Sequence, residues 1–113
     1  MVVNLYRISE ICLLTGVTRK TLFYYDRTGL LKPTERAGVQ NHKLYDEKQL
    51  ERLKRIIDFR EAGLKVEEIR TLLDDDQCEP RKIYEQALKR LECQQEEKAR
   101  EIRNLLKLLN DTD

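Results

Sequence analysis

The chain has 113 residues, 40% of them hydrophobic and 38% charged, which fits one small domain or a domain with an appendage and leaves little room for an enzyme pocket. No apolar run approaches the roughly 18 residues that cross a bilayer, and the first residues lack the segments of a secretion signal. We therefore expect a cytoplasmic protein with no membrane partner. Residues 1–60 hold 12 Lys and Arg against 7 Asp and Glu, whereas residues 61–113 hold 10 against 14, so a basic half precedes an acidic one. A polyanion is a natural partner for the basic half, although solvated helical faces give the same count.

Two short helices are predicted near the N-terminus. An apolar-periodic run over residues 9–14 stops at Gly16, a glycine cap. Thr18 can cap a second helix that continues to Gly29, the next expected left-handed stop. Two short helices joined by a tight turn form a helix-turn-helix, whose second helix is suited to the major groove of DNA.

The second predicted helix divides its aromatic residues between two faces, because positions three and four apart share a face. Leu22 and Tyr25 lie on the side that packs. Tyr24 and Phe23 are expected to point outward among cations, where a tyrosine can reach a phosphate, a sugar or a base edge. The alternative, in which all three rings cover a small core, explains the surrounding cations less well. The cations on or beside the outward face are Arg19, Lys20 and Arg27.

A β-hairpin is predicted next, with extended segments at residues 31–34 and 42–45 around a loop too long for a tight two-residue turn. Such a basic hairpin beside a recognition helix is a wing, placed to grip the DNA backbone next to the groove. Its cations would be Lys32, Arg36, His42 and Lys43.

Two amphipathic helices are expected to complete the core. Asp46 supplies an N-cap and Gln49 the matching position of a capping box, and the helix ends at residues 62–63. A shorter helix follows, and because Lys65 stands where a Ser or Thr would cap better, its start is expected to fray unless Lys65 is used elsewhere. The apolar positions are Leu50, Leu53, Ile56, Ile57 and Phe59, then Val66, Ile69, Leu72 and Leu73.

A long helix is predicted from Pro80, in its first turn, to about Leu109. Spacings of four and three residues mark a two-stranded coiled-coil seam, in which Gln95 and Lys98 weaken the middle. These two polar residues either fix the register or orientation of pairing, or the helix bends so that other residues face the partner. A helix folded back on its own domain is the alternative to dimerisation. The apolar seam positions are Tyr84, Leu88, Leu91, Ile102, Leu105 and Leu109.

The tract TLFYYDRTGLLKP at residues 21–33, with ISE at 8–10, TGVT at 15–18 and LERL at 50–53, resembles the MerR family of bacterial transcription regulators over residues 5–73. The resemblance implies a mostly α-helical fold: a winged helix-turn-helix DNA-binding domain, residues 1–76, followed by a long antiparallel coiled-coil dimerisation helix, residues 77–113. An effector domain is expected to be absent or truncated.

By that resemblance the chain is a homodimer that binds double-stranded DNA at a pseudo-palindromic promoter operator. It would distort an overlong promoter spacer so that RNA polymerase can start transcription. Contacts with the major groove or its phosphates would come from Thr18, Arg19, Lys20 and Tyr24, and His42 and Lys43 would lie on the wing.

Three departures from the family pattern predict a shifted set of DNA contacts. Phe23 replaces a customary arginine and so removes one phosphate contact. Residues 41–43, Asn-His-Lys, replace a usual Gly-Tyr-Arg, and Lys65 replaces a small polar cap.

The three cysteines, Cys12, Cys78 and Cys93, are an odd number at wide spacing, which argues against a disulfide framework. Cys78 stands where metal-sensing relatives place a thiolate ligand, so it is the candidate effector thiol. No Cys-x-x-Cys pair and no Cys and His cluster accompanies it, so neither a metal site nor a cofactor is predicted. An electrophile- or redox-sensing thiol and an inert thiol are the other interpretations.

No catalytic constellation is visible, since the single histidine has no nucleophile partner. The chain is therefore not expected to be an enzyme. Two hypotheses remain: a dimeric, sequence-specific transcription regulator, and a coiled-coil protein-interaction adaptor that keeps the winged-helix fold without reading an operator.

Overall fold

The structure, a computed structural model, describes residues 4–40 and 42–112. By contact density the chain divides into two compact units, one ending at Arg70 and one beginning at Thr71. The division falls inside a helix, whereas the predicted domain boundary after residue 76, which stays a prediction, falls beyond it. The elements in chain order are β1 (Leu5–Arg7), α1 (Ile8–Thr15), α2 (Arg19–Thr28), β2 (Glu35–Ala37), β3 (His42–Asp46), α3 (Glu47–Glu61), α4 (Val66–Asp74) and α5 (Pro80–Asn110).

The helix-turn-helix is confirmed at the predicted caps. Gly16 and Gly29 both adopt φ of 79°, a left-handed conformation that a side chain disfavours. The N–H of Gly16 donates to the carbonyl of Cys12 at 2.9 Å and closes α1. Thr18 caps α2, because its Oγ1 accepts the N–H of Thr21 at 3.2 Å. These local signals fix both ends of α2.

The hairpin lies three residues later than its first strand was predicted. The predicted strand at residues 31–34 is wrong: Leu31 is buried and its N–H donates to the carbonyl of Tyr25 at 3.2 Å, which closes the turn after α2. Pro33 then has no N–H to give to a ladder. Pairing begins where Thr34 donates to the carbonyl of Leu44 at 2.8 Å, so β2 occupies residues that were assigned to the loop.

The sheet has the order β1-β3-β2, and both pairings are antiparallel. Tyr6 on β1 is opposite Tyr45, and Arg36 on β2 is opposite Lys43. The strand β1 was not predicted from the sequence. The hairpin connection covers residues 38–41, longer than a two-residue turn as expected, and Asn41, one of the departures from the family pattern, lies outside the described residues.

The core of the first unit combines both helices of the helix-turn-helix with the hairpin and α3 and α4. Tyr25 is buried and Tyr24 and Phe23 are exposed, so the predicted division of the three rings is confirmed. Burial of each large apolar side chain contributes roughly 1.5 to 3 kcal/mol before ordering costs. The buried apolar residues of this unit are Ile11, Leu22, Tyr25, Leu30, Leu31, Tyr45, Leu50, Leu53, Ile56, Leu64 and Ile69.

The starts of α3 and α4 differ from their sequence predictions. Asp46 caps α3 as predicted, accepting the N–H of Gln49 at 2.9 Å. The side chain of Gln49 does not complete the capping box, because its Nε2 donates to the carbonyl of Lys32 at 2.9 Å. At α4 the N–H of Lys65 donates to Glu68 Oε1 at 2.8 Å, so Glu68 holds the first turn that was expected to fray.

The second unit is dominated by α5, whose 31 residues span about 46 Å. Pro80 occupies its first turn, and the predicted bounds are confirmed within one residue. All six apolar positions of the predicted seam are exposed in the single chain, as are Gln95 and Lys98. A helix with this much exposed apolar surface is poorly solvated along one side.

Candidate nucleic-acid interface

The N-terminus of α2 gathers positive charge at the protein surface. Thr18, Arg19 and Lys20 are all exposed there. The hydroxyl of Thr18 donates to Thr21 Oγ1 at 3.0 Å while it accepts the Thr21 N–H, so the cap is ordered from both sides. The free N–H groups of a first helical turn and the helix dipole attract anions, and two cations add to that attraction.

The outward face of α2 carries an aromatic ring among cations. Tyr24 is 41% exposed, and the guanidinium carbon of Arg27 lies 5.7 Å from its ring centroid. Together with Lys20, Thr21 and Phe23 these side chains line a shallow hollow of about 570 Å³. The hollow offers a ring for stacking or sugar contact and cations for phosphate.

A second, larger hollow of about 610 Å³ separates the hairpin from the start of α1 and α2. We call residues 35–46 the wing. His42 on the wing is exposed and faces this groove, and Arg19 of α2 and Arg7 before α1 also line it. A groove with this lining is suited to an anionic backbone.

Asp26 is the one charged residue of the described chain that is buried, and three cations surround it. Its carboxylate lies 2.8 Å from Lys43 Nζ, accepts two hydrogen bonds of 3.0 Å from Arg36 Nη2, and lies 3.9 Å from Lys32 Nζ. Burial acts to raise the pKa of Asp26, but the hydrogen bonds and charges of Lys43 and Arg36 outweigh it and hold that pKa below its ordinary value. The carboxylate is therefore ionised at neutral pH.

Lys43 is the most enclosed member of this cluster, with 18% of its side chain exposed. Besides the carboxylate, its ammonium contacts the ring of Phe23, 4.2 Å from the centroid. Arg36 and Lys43 were expected to present their charges to DNA, and the structure instead directs both toward Asp26. Their predicted contact with phosphate stays a prediction.

Sequence reasoning gave Asp26 no role, although a signal was present. Asp26 follows Leu22 by four residues and Tyr25 by one, so it falls on the packed face of α2, where an acid needs a partner. The contribution of Arg7 to the groove had no comparable signal, because a lone arginine before a helix has many possible surroundings.

The cysteines form no metal site. Among residues 4–40 and 42–112, no group of three or more His, Cys, Asp or Glu side chains is arranged to hold a metal ion. Cys12 and Cys78 are partly buried and Cys93 is exposed. The role of Cys78 as an effector thiol stays a prediction. Over the same residues, no helix has the length and apolar character to cross a membrane.

Residues 6–76, which contain α2, the wing and the Asp26 cluster, match the model for MerR HTH family regulatory proteins. The chain belongs to the MerR family. The match covers more than half of the 113 residues, so the resemblance seen in the sequence is confirmed. The MerR family is one of regulatory proteins rather than enzymes, in agreement with the sequence prediction.

Relatives and solved structures of the MerR family extend the likeness. The HTH-type transcriptional activator TipA of Streptomyces coelicolor is 40% identical over 76 residues, 67% of this chain and 30% of TipA. The chain thus spans less than a third of the length of that relative. MtaN, the N-terminal part of the Bacillus subtilis multidrug transporter activator, matches 92% of this chain and 97% of its own with a TM-score of 0.75 and 26% identity. EcmrR, solved in an EcmrR–DNA complex, matches 93% of this chain and 37% of its own, with a TM-score of 0.69 and 30% identity.

Proposed function

We propose that this MerR-family chain is a sequence-specific, DNA-binding transcription regulator. The observation that carries the proposal is the shared exposure of Arg19, Lys20, Tyr24 and Arg27 on one side of α2, beside a basic groove at the wing. An exposed, cationic second helix of a helix-turn-helix is the element that enters the major groove in proteins of this type. EcmrR, a structural relative, was solved bound to DNA.

The proposed contacts fall into two classes. Thr18, Arg19 and Lys20 bind phosphates through the helix N-terminus and their own charges, and His42 binds a phosphate from the wing. Tyr24 and Arg27 contact sugar or base edges in the groove. Arg36 and Lys43 support the wing through Asp26, 3.0 and 2.8 Å away. Counted together, the proposed binding residues are Thr18, Arg19, Lys20, Tyr24, Arg27, Arg36, His42 and Lys43.

Two chains form the active species in this proposal, and residues 77–113 are the dimerisation segment. The support is the apolar side of α5: Leu88, Ile102, Leu105 and Leu109 are each more than half exposed in the single chain. A second copy of the same helix, laid antiparallel, would cover that side with matching leucines. The two α2 helices of the dimer would then read the half-sites of a pseudo-palindromic operator.

The regulatory step follows the family likeness. The dimer would act in the cytoplasm on a promoter with an overlong spacer, distorting the DNA so that RNA polymerase can use it. Such distortion costs free energy that depends on the sequence being deformed, and it adds specificity at base pairs that the protein does not touch.

A salt-dependent binding titration tests the proposal. Fluorescence anisotropy with promoter DNA from the gene's own locus should show an affinity that falls steeply with salt, with a slope of about −0.9 per phosphate contact. A random duplex of equal length is the matched control and should bind more weakly. Salt-independent or absent binding would favour the alternative, a coiled-coil adaptor with a winged-helix fold and no operator reading.

A further inference from the structure

The ammonium of Lys43 is enclosed by two groups of α2. Asp26 Oδ2 lies 2.8 Å away and the Phe23 ring centroid 4.2 Å away. The side chain of Lys43 is 18% exposed, whereas Lys20 on the surface of α2 is exposed. Lys43 belongs to β3, so these contacts join the wing to the second helix of the helix-turn-helix.

This arrangement leaves the ammonium poorly placed for a phosphate. A charge-assisted hydrogen bond of 2.8 Å and a cation–π contact satisfy it within the protein. Turning Lys43 outward to a phosphate would remove the closest partner of the buried Asp26 carboxylate, which costs free energy. The ring of Phe23 would lose its cation at the same time.

Phe23 has a specific part in this enclosure. An arginine at this position would place a second cation beside Lys43 and compete for the same carboxylate. A phenyl ring attracts the ammonium through its negative face instead, and it has no charge that needs a partner. The residue that departs from the family pattern is thus the one that makes room for Lys43 beside Asp26.

We propose that Lys43 is an internal strut between the wing and α2, and that Phe23 is a positioning residue that acts on DNA recognition by holding Lys43 against Asp26. The proposal rests on the proposed DNA-binding function. The strut fixes where the wing stands relative to the groove that α2 enters, so its loss weakens binding without removing a phosphate contact. Lys20, which is exposed on α2, serves as the ordinary phosphate-contacting lysine for comparison.

Salt dependence distinguishes a strut from a phosphate contact. Lys43→Met should lower the affinity for promoter DNA while the slope of log K against log salt stays within about 0.3 of the wild-type slope. Lys20→Met, the matched control, should reduce the slope by about 0.9, the value for one lost phosphate contact. Phe23→Leu should behave as Lys43→Met does, and Phe23→Tyr should restore wild-type affinity because the ring is kept. A slope for Lys43→Met that falls as far as the Lys20→Met slope would overturn the proposal.

A double-mutant cycle in protein stability tests the same contact without DNA. The unfolding equilibrium constants of wild type, Phe23→Leu, Lys43→Met and the double variant should show a coupling factor of about two to five, as expected for a partly exposed cation–π pair. A coupling factor near one would overturn the strut. If the wild type binds no duplex, the proposed function fails, while the cycle still decides whether Phe23 holds Lys43.

Discussion

Asp26 and Arg36 meet in two hydrogen bonds of 3.0 Å, although one belongs to α2 and the other to β2. Lys43 completes the cluster from β3, so one buried carboxylate joins three elements. Replacement of Asp26 by the isosteric Asn leaves three cations without their anion. We expect Asp26→Asn to lower the free energy of unfolding by about 2 to 4 kcal/mol at pH 7 in urea denaturation.

The effect of that substitution should depend on pH. Because the folded pKa of Asp26 lies below the ordinary value of 3.8, its contribution to stability is present above 3.8 and is lost as the pH falls through the folded pKa. The gap between wild type and Asp26→Asn should therefore narrow below about pH 4. Asp58→Asn, an exposed position on α3, is the control and should change stability little at any pH. A gap that stays constant down to pH 3 would contradict the ion cluster.

Leu22 tests the packed face of α2. It has no exposed surface, so Leu22→Ala removes buried methyl groups and leaves a cavity. The free energy of unfolding should fall by about 2 to 5 kcal/mol, measured by urea or thermal denaturation. A loss below about 0.5 kcal/mol, the range of surface substitutions, would show that this face of α2 does not pack as described.

Tyr24, two residues along on the opposite face, should give the reverse result. Tyr24→Ala is expected to change stability by about 0.5 kcal/mol or less because the ring is largely exposed. Its affinity for promoter DNA should fall by about five- to tenfold, as for one lost groove contact of 1 kcal/mol or more. Tyr24→Phe separates the hydroxyl from the ring. If Tyr24→Ala instead unfolds the domain, or binds DNA as the wild type does, the assignment of faces is wrong.

The exposed side of α5 predicts a change of oligomeric state. Leu105→Glu places a charge within the predicted seam, where Leu105 is 66% exposed in the single chain. Sedimentation velocity should show a dimer for wild type and a monomer for this variant, because a buried unpaired carboxylate opposes association. Asn104→Glu adds the same charge one residue away, outside the seam, and should remain dimeric. Identical sedimentation of all three proteins would exclude this seam.

Tyr45 is expected to be a site of gain rather than loss. Its hydroxyl is buried and has no hydrogen-bond partner among the residues that the structure describes, and burial, with the charge of Asp26, raises its pKa to about 12. Tyr45→Phe should therefore raise the free energy of unfolding by about 1 kcal/mol at pH 8.

The same substitution should remove an alkaline instability. The unfolded chain ionises tyrosine near pH 10 and the folded chain only near 12, so wild type loses stability relative to Tyr45→Phe across that interval, by about 1 kcal/mol at pH 11. Tyr84→Phe on the exposed side of α5 is the control. An advantage for Tyr45→Phe that does not grow between pH 8 and pH 11 would contradict the burial of the hydroxyl.

The comparison of sequence and structure separates local from non-local signals. Thr18, Gly16 and Gly29 set the ends of the helices through contacts within four residues, and each was predictable. The partners of Asp26 come from 10 and 17 residues away, and only the fold of the hairpin brings them together. The error at residues 31–34 has the same origin, because the turn that buries Leu31 is held by packing that local propensity does not show.

The most direct test of the central claim counts the chains on one duplex. Sedimentation velocity with a fluorescent promoter duplex, in the presence of excess random competitor DNA, should show two chains bound per duplex and a complex that dissociates as salt rises. One chain per duplex, or equal binding to the promoter and the competitor, would contradict the account.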